Sequence, residues 1–218
     1  MKIIKIPSGE ITNIPLLNFL SKTNLKLILS TGMSTLKEVD NAVKILKKKD
    51  LSILHCNSAY PTPMKDINLN VIKFFQKKYS HAKIGFSDHS LGIEAGIAAA
   101  AIGAKIIEKH FTLSKKLSGP DHKISLDPIE LNTFIKSIKN ISSALGSYTK
   151  NVTRSEKINI IPARKSIYAS KDIKIGEKFS EINLTTKRPQ KGLKASDWKK
   201  VLKHKSKYNF KKNQIIKI

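Results

Sequence analysis

The chain has 218 residues, 41 of them Lys or Arg against 16 Asp or Glu, for a net charge of +25, and 40% are hydrophobic. That supply of apolar side chains suits one large domain or a medium domain with a small appendage, and even the Ala-rich stretch 92–107 carries Glu94 and Lys105, so no run reaches the roughly 18 apolar residues of a membrane span. Only three of the basic residues are Arg (Arg154, Arg164, Arg188) and the lysines are spread along the chain, which is compositional bias rather than a phosphate-reading surface; neither nucleic acid nor a membrane is the expected partner.

The amino-terminal run Met1-Lys2-Ile3-Ile4-Lys5 has no long apolar core and no small-residue cleavage site, so the expected location is cytoplasmic. Short apolar runs then recur at 3–6, 27–29, 51–56, 83–86 and 105–107, each followed by a helical pattern. Strands alternating with helices in this way predict βαβ units and a parallel sheet. Thr35 and Glu38 form a capping box ahead of a helix whose stripe is Leu36, Val39, Val43 and Leu46. The last helix of the series has Asp127 as N-cap, Pro128 in its first turn and Glu130 closing the box. Leu131, Phe134, Ile135, Ile138, Ile141 and Leu145 lie on one face, and Gly146 is its stop. Periodicity lapses over 147–162, a polar linker. From about Ala163 to Ile218, short β-like runs at 166–169, 184–187 and 214–218, with a turn at Lys174-Ile175-Gly176-Glu177, predict a small β-rich domain.

Polar residues follow the strands. The clusters are Ser8-Gly9-Glu10, Ser30-Thr31-Gly32-Met33, His55 through Pro61, Ser87-Asp88-His89, and Glu108-Lys109-His110-Phe111-Thr112. In an α/β barrel the C-terminal strand ends share one mouth, so these five clusters converge and point to an enzyme. His89 and His110, one βα unit apart, suit a divalent metal with positions left for substrate oxygen; the plainer alternative is two hydrogen-bonded structural histidines. Ser8, Ser30 and Ser87 are candidate helix caps, and the same helix ends bind anions. Glu10 and Asp121 are alternatively surface carboxylates, Pro61-Thr62-Pro63 a rigid turn, and Cys56, the only cysteine, a buried inert thiol.

Several strings taken together resemble the ordered motifs of the sialic acid (nonulosonic acid) synthase family over essentially the whole chain. They are Lys5-Ile6-Pro7-Ser8-Gly9-Glu10, Leu29-Ser30-Thr31-Gly32-Met33, His55 through Tyr60 with Pro61-Thr62-Pro63, Ser87-Asp88-His89, Glu108-Lys109-His110-Phe111-Thr112 and Gly119-Pro120-Asp121-His122. The resemblance implies an α/β fold: the C-terminal five βα units of a TIM (β/α)8 barrel at 1–146, a linker, and a small SAF (antifreeze-like) domain at 163–218. It implies an enzyme that condenses phosphoenolpyruvate with N-acetylmannosamine or a 2,4-diacetamido relative, releasing phosphate. Ile11-Thr12-Asn13 and Pro61-Thr62-Pro63-Met64 lean towards the legionaminic branch.

By the same resemblance His89 and His110 would hold a divalent metal, manganese or alternatively magnesium. Lys5, Ser8, Ser30, Ser58 and Ser87 would bind phosphoenolpyruvate, and Glu10, Tyr60 and Asp121 the sugar, with Glu10 joining the two histidines in catalysis. Position 58 is Ser where some relatives carry Asn. Arg188 would reach the sugar of a partner subunit in a homodimer with swapped SAF domains, although Gln190-Lys191-Gly192-Leu193-Lys194 replaces the glycine-rich stretch of many relatives. Family chains begin with about three further βα units that are not found here, and five strands do not close an eight-stranded barrel. The expectation is therefore a synthase that is either one part of a split enzyme with a separate N-terminal half or an inactive, truncated remnant, with a non-catalytic assembly or binding subunit as the alternative. A lysine-rich nucleic-acid binder, the third possibility, requires steeply salt-dependent DNA retention.

Overall fold

The structure, a computed structural model, describes residues 2–47 and 49–218; Met1, part of the amino-terminal run considered above, lies outside the described residues. The chain divides into two compact units that meet at Gly146 and Ser147. In the first unit five strands form one parallel sheet in sequential order: β1 (Ile3–Ile6), β2 (Lys26–Ser30), β3 (Leu51–Cys56), β4 (Lys83–Asp88) and β5 (Ile107–Lys109). A helix follows each strand: α1 (Ile14–Ser21), α2 (Leu36–Leu46), α3 (Asn70–Lys78), α4 (Glu94–Ala101) and α5 (Pro128–Leu145). Sequential parallel strands with a helix after each make an arc of a (β/α)8 barrel. Among the described residues the outer edges of β1 and β5 carry no strand partner.

The core lies between the sheet and its helices. Ile6, Leu27, Leu29, Ile53 and Phe86 point outward from the strands and meet Leu17, Leu20, Val39, Ala42, Leu46, Ile72 and Phe75 from the helices. Each large side chain so enclosed contributes roughly 1.5–3 kcal/mol relative to exposure. All six residues of β3, the central strand, are buried. Both capping boxes are formed, Thr35 with Glu38 and Asp127 with Glu130.

Several expectations need correction. The fifth strand is Ile107–Lys109 rather than 105–107; Gly85 packs against Ile106, where an added Cβ would stand 2.5 Å from the Ile106 carbonyl oxygen, and the pairing continues through Ser87↔Glu108 and Asp88↔Lys109. Leu36 is exposed, and Ala42 takes its place in the buried stripe of α2. On α5 only Phe134 is fully buried, while Ile135 and Leu145 are exposed. The polar linker 147–162 contains two one-turn helices, α6 (Arg154–Lys157), capped by Thr153, and α7 (Ile160–Ala163), which runs one residue past it.

In the second unit β6 (Ser166–Ala169) pairs antiparallel with β7 (Leu184–Lys187). The run 214–218 is not a strand: it meets β6 at one bridge, Tyr168↔Ile215, with Ala169 N–H donating to Gln214 O and Ile216 N–H to Ile167 O. Ile167, Ala169, Ile173, Phe179, Leu184, Phe210 and Ile216 make its core with Val201 of the short helix α8 (Trp198–Val201). The turn at Lys174 to Glu177 is present, with Gly176 at φ 82°, where a side chain would be strained.

Gly96 on α4 lets Phe134 of α5 come close: a Cβ there would stand 2.5 Å from Phe134 Cζ. Overpacking of about 1–3 kcal/mol exceeds the helix-propensity gain of about 1 kcal/mol. Gly96→Ala is therefore expected to lower the thermal midpoint by a few degrees in a denaturation scan; an unchanged or raised midpoint would contradict this packing.

Candidate active site

Period-two alternation sorts the strand ends. On β1 Ile6 enters the outer core while Lys5 turns to the other face; on β4 Phe86 goes outward while Ser87 and His89 go inward. The inward groups meet in a cleft of about 310 Å³ lined by Lys5, Ser8, Gly9, Ser30, Met33, Cys56, Ser58, Tyr60, Ser87 and His89. All five residues that the resemblance assigns to an anionic substrate, Lys5, Ser8, Ser30, Ser58 and Ser87, are in this one lining.

None of the three candidate capping serines caps a helix. Ser8 Oγ accepts from Gly32 N–H at 2.9 Å and lies 3.6 Å from Cys56 Sγ. Ser87 Oγ donates to Glu108 Oε1 at 2.7 Å. Ser30 Oγ is buried and, among the described residues, is the one buried side-chain polar atom without a hydrogen-bond partner. A buried hydroxyl left unpaired costs about 1–3 kcal/mol, so such a group calls for a partner from outside the chain. Gly32 makes this crowding feasible, since a Cβ at that position would stand 2.1 Å from Ser58 Oγ and 2.9 Å from Ser8 Oγ.

Lys5 Nζ reaches across the arc to Glu108 Oε1 at 2.5 Å. Burial pushes the Glu108 carboxyl up, but the Lys5 ammonium and the Ser87 hydroxyl outweigh it and hold it below the usual carboxylate range. Beside it the rings of His89 and His110 lie 5.3 Å apart at 72°, with the half-exposed ring of Tyr60 4.2 Å from His89 and 5.7 Å from His110. Burial raises the Tyr60 phenol, and charge interactions with Cys56, Asp121 and Glu108 add to it. His89 Nδ1 is 2.7 Å from Asn57 O. A carbonyl only accepts, so Nδ1 carries the proton and Nε2 keeps the lone pair of a metal ligand. His110 Nδ1 lies 3.8 Å from Asp121 Oδ2, on the loop before α5.

Among the described residues no three His, Cys, Asp or Glu side chains converge as metal ligands. The two imidazoles fit a divalent ion with most of its coordination left to water and substrate, as an open catalytic site requires.

Four assigned residues are outside the cleft lining: His110 and Asp121, which lie beside Tyr60 and His89, and Glu10 and Arg188. Glu10 is outside the lining, its carboxylate accepting from Asn13 Nδ2 at 2.6 Å. Arg188 belongs to the second unit, where its Nε donates to Ala163 O at 2.7 Å. Two further groups at the site had no role assigned from sequence. Glu108, already present in the fifth polar cluster, faces the cleft by alternation with His110 because β5 runs Ile107–Lys109. Cys56 is buried yet not isolated, its Sγ lying 3.8 Å from His89 Nδ1. Burial pushes its thiol up, but contact with His89 and Ser8 more than offsets this and lowers it.

A parallel βα arc whose strand ends gather a lysine, four serines and two histidines places its polar groups where (β/α)8 barrels carry their sites. The chain belongs to the NeuB family, whose model matches residues 1–150, and a SAF domain model matches residues 164–218. It is 45% identical to an N,N'-diacetyllegionaminic acid synthase of Campylobacter jejuni over 100% of this chain and 66% of that protein. A pseudaminic acid synthase of the same species is 37% identical over 98% of this chain and 62% of its own length. Among solved structures, the N-acetylneuraminic acid (sialic acid) synthetase of Leptospira borgpetersenii, in complex with citrate, superposes with a TM-score of 0.68 at 40% identity, over 73% of this chain and 56% of that one. The chain thus spans just under two thirds of the length of these curated relatives.

Because the folded Glu108 pKa is depressed, its contribution to stability is present above the unfolded value of about 4.3 and is lost as pH falls through the lower folded value. Glu108 is over a third exposed, so the effect is under about 1 kcal/mol. Glu108→Gln is expected to melt slightly below the parent at neutral pH, the gap closing towards pH 3 in thermal scans; a gap independent of pH would refute the Lys5 pairing.

Proposed function

We propose that the first unit carries the substrate-binding half of a nonulosonic acid synthase, which joins phosphoenolpyruvate to an N-acetylated amino sugar. The observation that carries this is the single cleft in which Lys5 and four serines converge and the buried Ser30 hydroxyl has no partner of its own. Lys5 with Ser8, Ser30, Ser58 and Ser87 binds the phosphate and carboxylate of phosphoenolpyruvate through charge-assisted hydrogen bonds. Tyr60 and Asp121, beside His110, hold the sugar hydroxyls; Glu10 joins them on releasing Asn13.

His89 and His110 hold a divalent cation, manganese or magnesium, which when bound supplies Lewis-acid polarisation of the sugar aldehyde. The chain aligns C3 of the enol with the aldehyde carbon. The new C–C bond forms there, water adds at C2, and phosphate leaves with cleavage of its C–O bond. The 45% identity to a legionaminic acid synthase favours a 2,4-diacetamido sugar over N-acetylmannosamine. Completing an eight-stranded barrel takes three more strands, which pair with the free edges of β1 and β5 and are supplied by the same polypeptide or a separate one. A homodimer brings Arg188 of one subunit to the N-acyl group of the sugar bound by the other.

The test is phosphate release from phosphoenolpyruvate with manganese and either sugar, for the chain alone and co-expressed with a three-unit βα segment. Turnover on co-expression is expected; folded complexes that neither turn over nor bind phosphoenolpyruvate would leave only an assembly role. In the active complex His89→Ala or His110→Ala should abolish metal-dependent turnover, and retained activity in either would remove that histidine from the metal. Ser30→Ala should leave the thermal midpoint unchanged or higher, since it removes an unpaired hydroxyl. It should also raise the KM for phosphoenolpyruvate on the order of tenfold, one charge-assisted hydrogen bond. An unchanged KM would move the anion away from Ser30.

A further inference from the structure

We infer that the buried Lys109–Asp88 ion pair is a positioning device, locking β4 to β5 in the register that aims His89 and His110 at one cation. This rests on the metal-binding role proposed above. The ladder between these strands ends at Asp88↔Lys109, so each histidine stands one residue beyond the last paired position. What holds that end is a side-chain clamp on the opposite face of the sheet. Lys109 Nζ donates to Asp88 Oδ2 at 2.9 Å and to Ser90 O at 2.6 Å. Asp88 Oδ1 in turn accepts from Ser90 N–H at 2.9 Å and from Ser90 Oγ at 2.6 Å. The residues on both sides of His89 are thereby tied to the residue just before His110.

The side chains of Lys109 and Asp88 are 4% and 0% exposed. Gly96 of α4 covers them closely: a Cβ there would stand 3.5 Å from Asp88 Oδ2. An ion pair this buried returns little net stability over an apolar pair of the same volume, because desolvation consumes most of the attraction; its best-attested use is to fix register. A slip of one residue would reverse the faces of β5, turning His110 away from His89 and bringing Lys109 into the cleft.

The test compares manganese binding, measured by electron paramagnetic resonance, for the 218-residue chain and for Asp88→Asn/Lys109→Met, a double variant that leaves no charge buried alone. The expected double variant is folded, with a thermal midpoint close to the parent's, and binds manganese at least tenfold more weakly. In pulsed spectra it loses the nitrogen coupling of one of the two imidazoles. A folded double variant that keeps both couplings and an affinity within twofold would overturn the clamp. So would a double variant that fails to fold, because the pair would then serve stability rather than aim. A parent chain that binds no manganese would instead overturn the metal-binding role itself.

Discussion

Strand alternation is the constraint on which everything else in the first unit depends. Each of the five parallel strands sends one set of alternate residues out to the helices and the other in towards the cleft, and a one-residue slip exchanges the two sets. The burial of Leu27, Leu29, Ile53 and Phe86 against α2 and α3 is what prevents the slip. The hydrophobic effect thereby sets the direction of side chains it never touches: Lys5, Ser30, Ser87 and Glu108 face one another because their neighbours in sequence are committed to the core. The site is a consequence of the core, delivered through the period of the strand.

Within that frame the cleft is held by short polar contacts. Lys5 and Ser87 share one oxygen of Glu108, and Ser8 bridges the Gly32 amide and the Cys56 sulfur. Lys5 is therefore kept in place by a carboxylate from the far end of the arc. Crowding at Gly32 and burial at Ser30 leave the cleft hydroxyls close together and one of them without an internal partner. In a chain with a net charge of +25, most cations lie in the solvated lysine-rich surface. The lysines that matter for the site are the two matched to inward or buried acids, Lys5 to Glu108 and Lys109 to Asp88.

Much of this was legible from residue patterns. The apolar runs at 3–6, 51–56, 166–169 and 184–187 coincide with strands, because each is bounded by turn residues or polar clusters that end it sharply. Capping boxes at Thr35 and Asp127 depend on local contacts over three residues, so sequence spacing exposes them directly. The fifth strand was misplaced because the Ala-rich helix before it carries no period-two contrast, and the start of the strand is set by packing at Gly85 against Ile106, across the sheet. That two-residue shift concealed the inward direction of Glu108, which the fifth polar cluster already contained. The run 214–218 looked like a strand from its composition, yet its partner on β6 accepts it at a single bridge. Glu10 shows the limit for half-buried polar groups: nothing in a motif records that Asn13, three residues on, would hold its carboxylate. No spacing contains the chemistry, and the proposed reaction rests on membership of the NeuB family.

If the five strand ends build a single site for an anion and a metal, a crystal of the chain soaked in manganese and phosphoenolpyruvate, with data collected at the manganese edge, shows it most directly. One anomalous peak is expected against the ring nitrogens of His89 and His110, with a phosphate or carboxylate oxygen within hydrogen-bonding distance of Ser30 Oγ. Manganese bound away from both histidines, or phosphoenolpyruvate bound with Ser30 still unpartnered, would contradict a shared site.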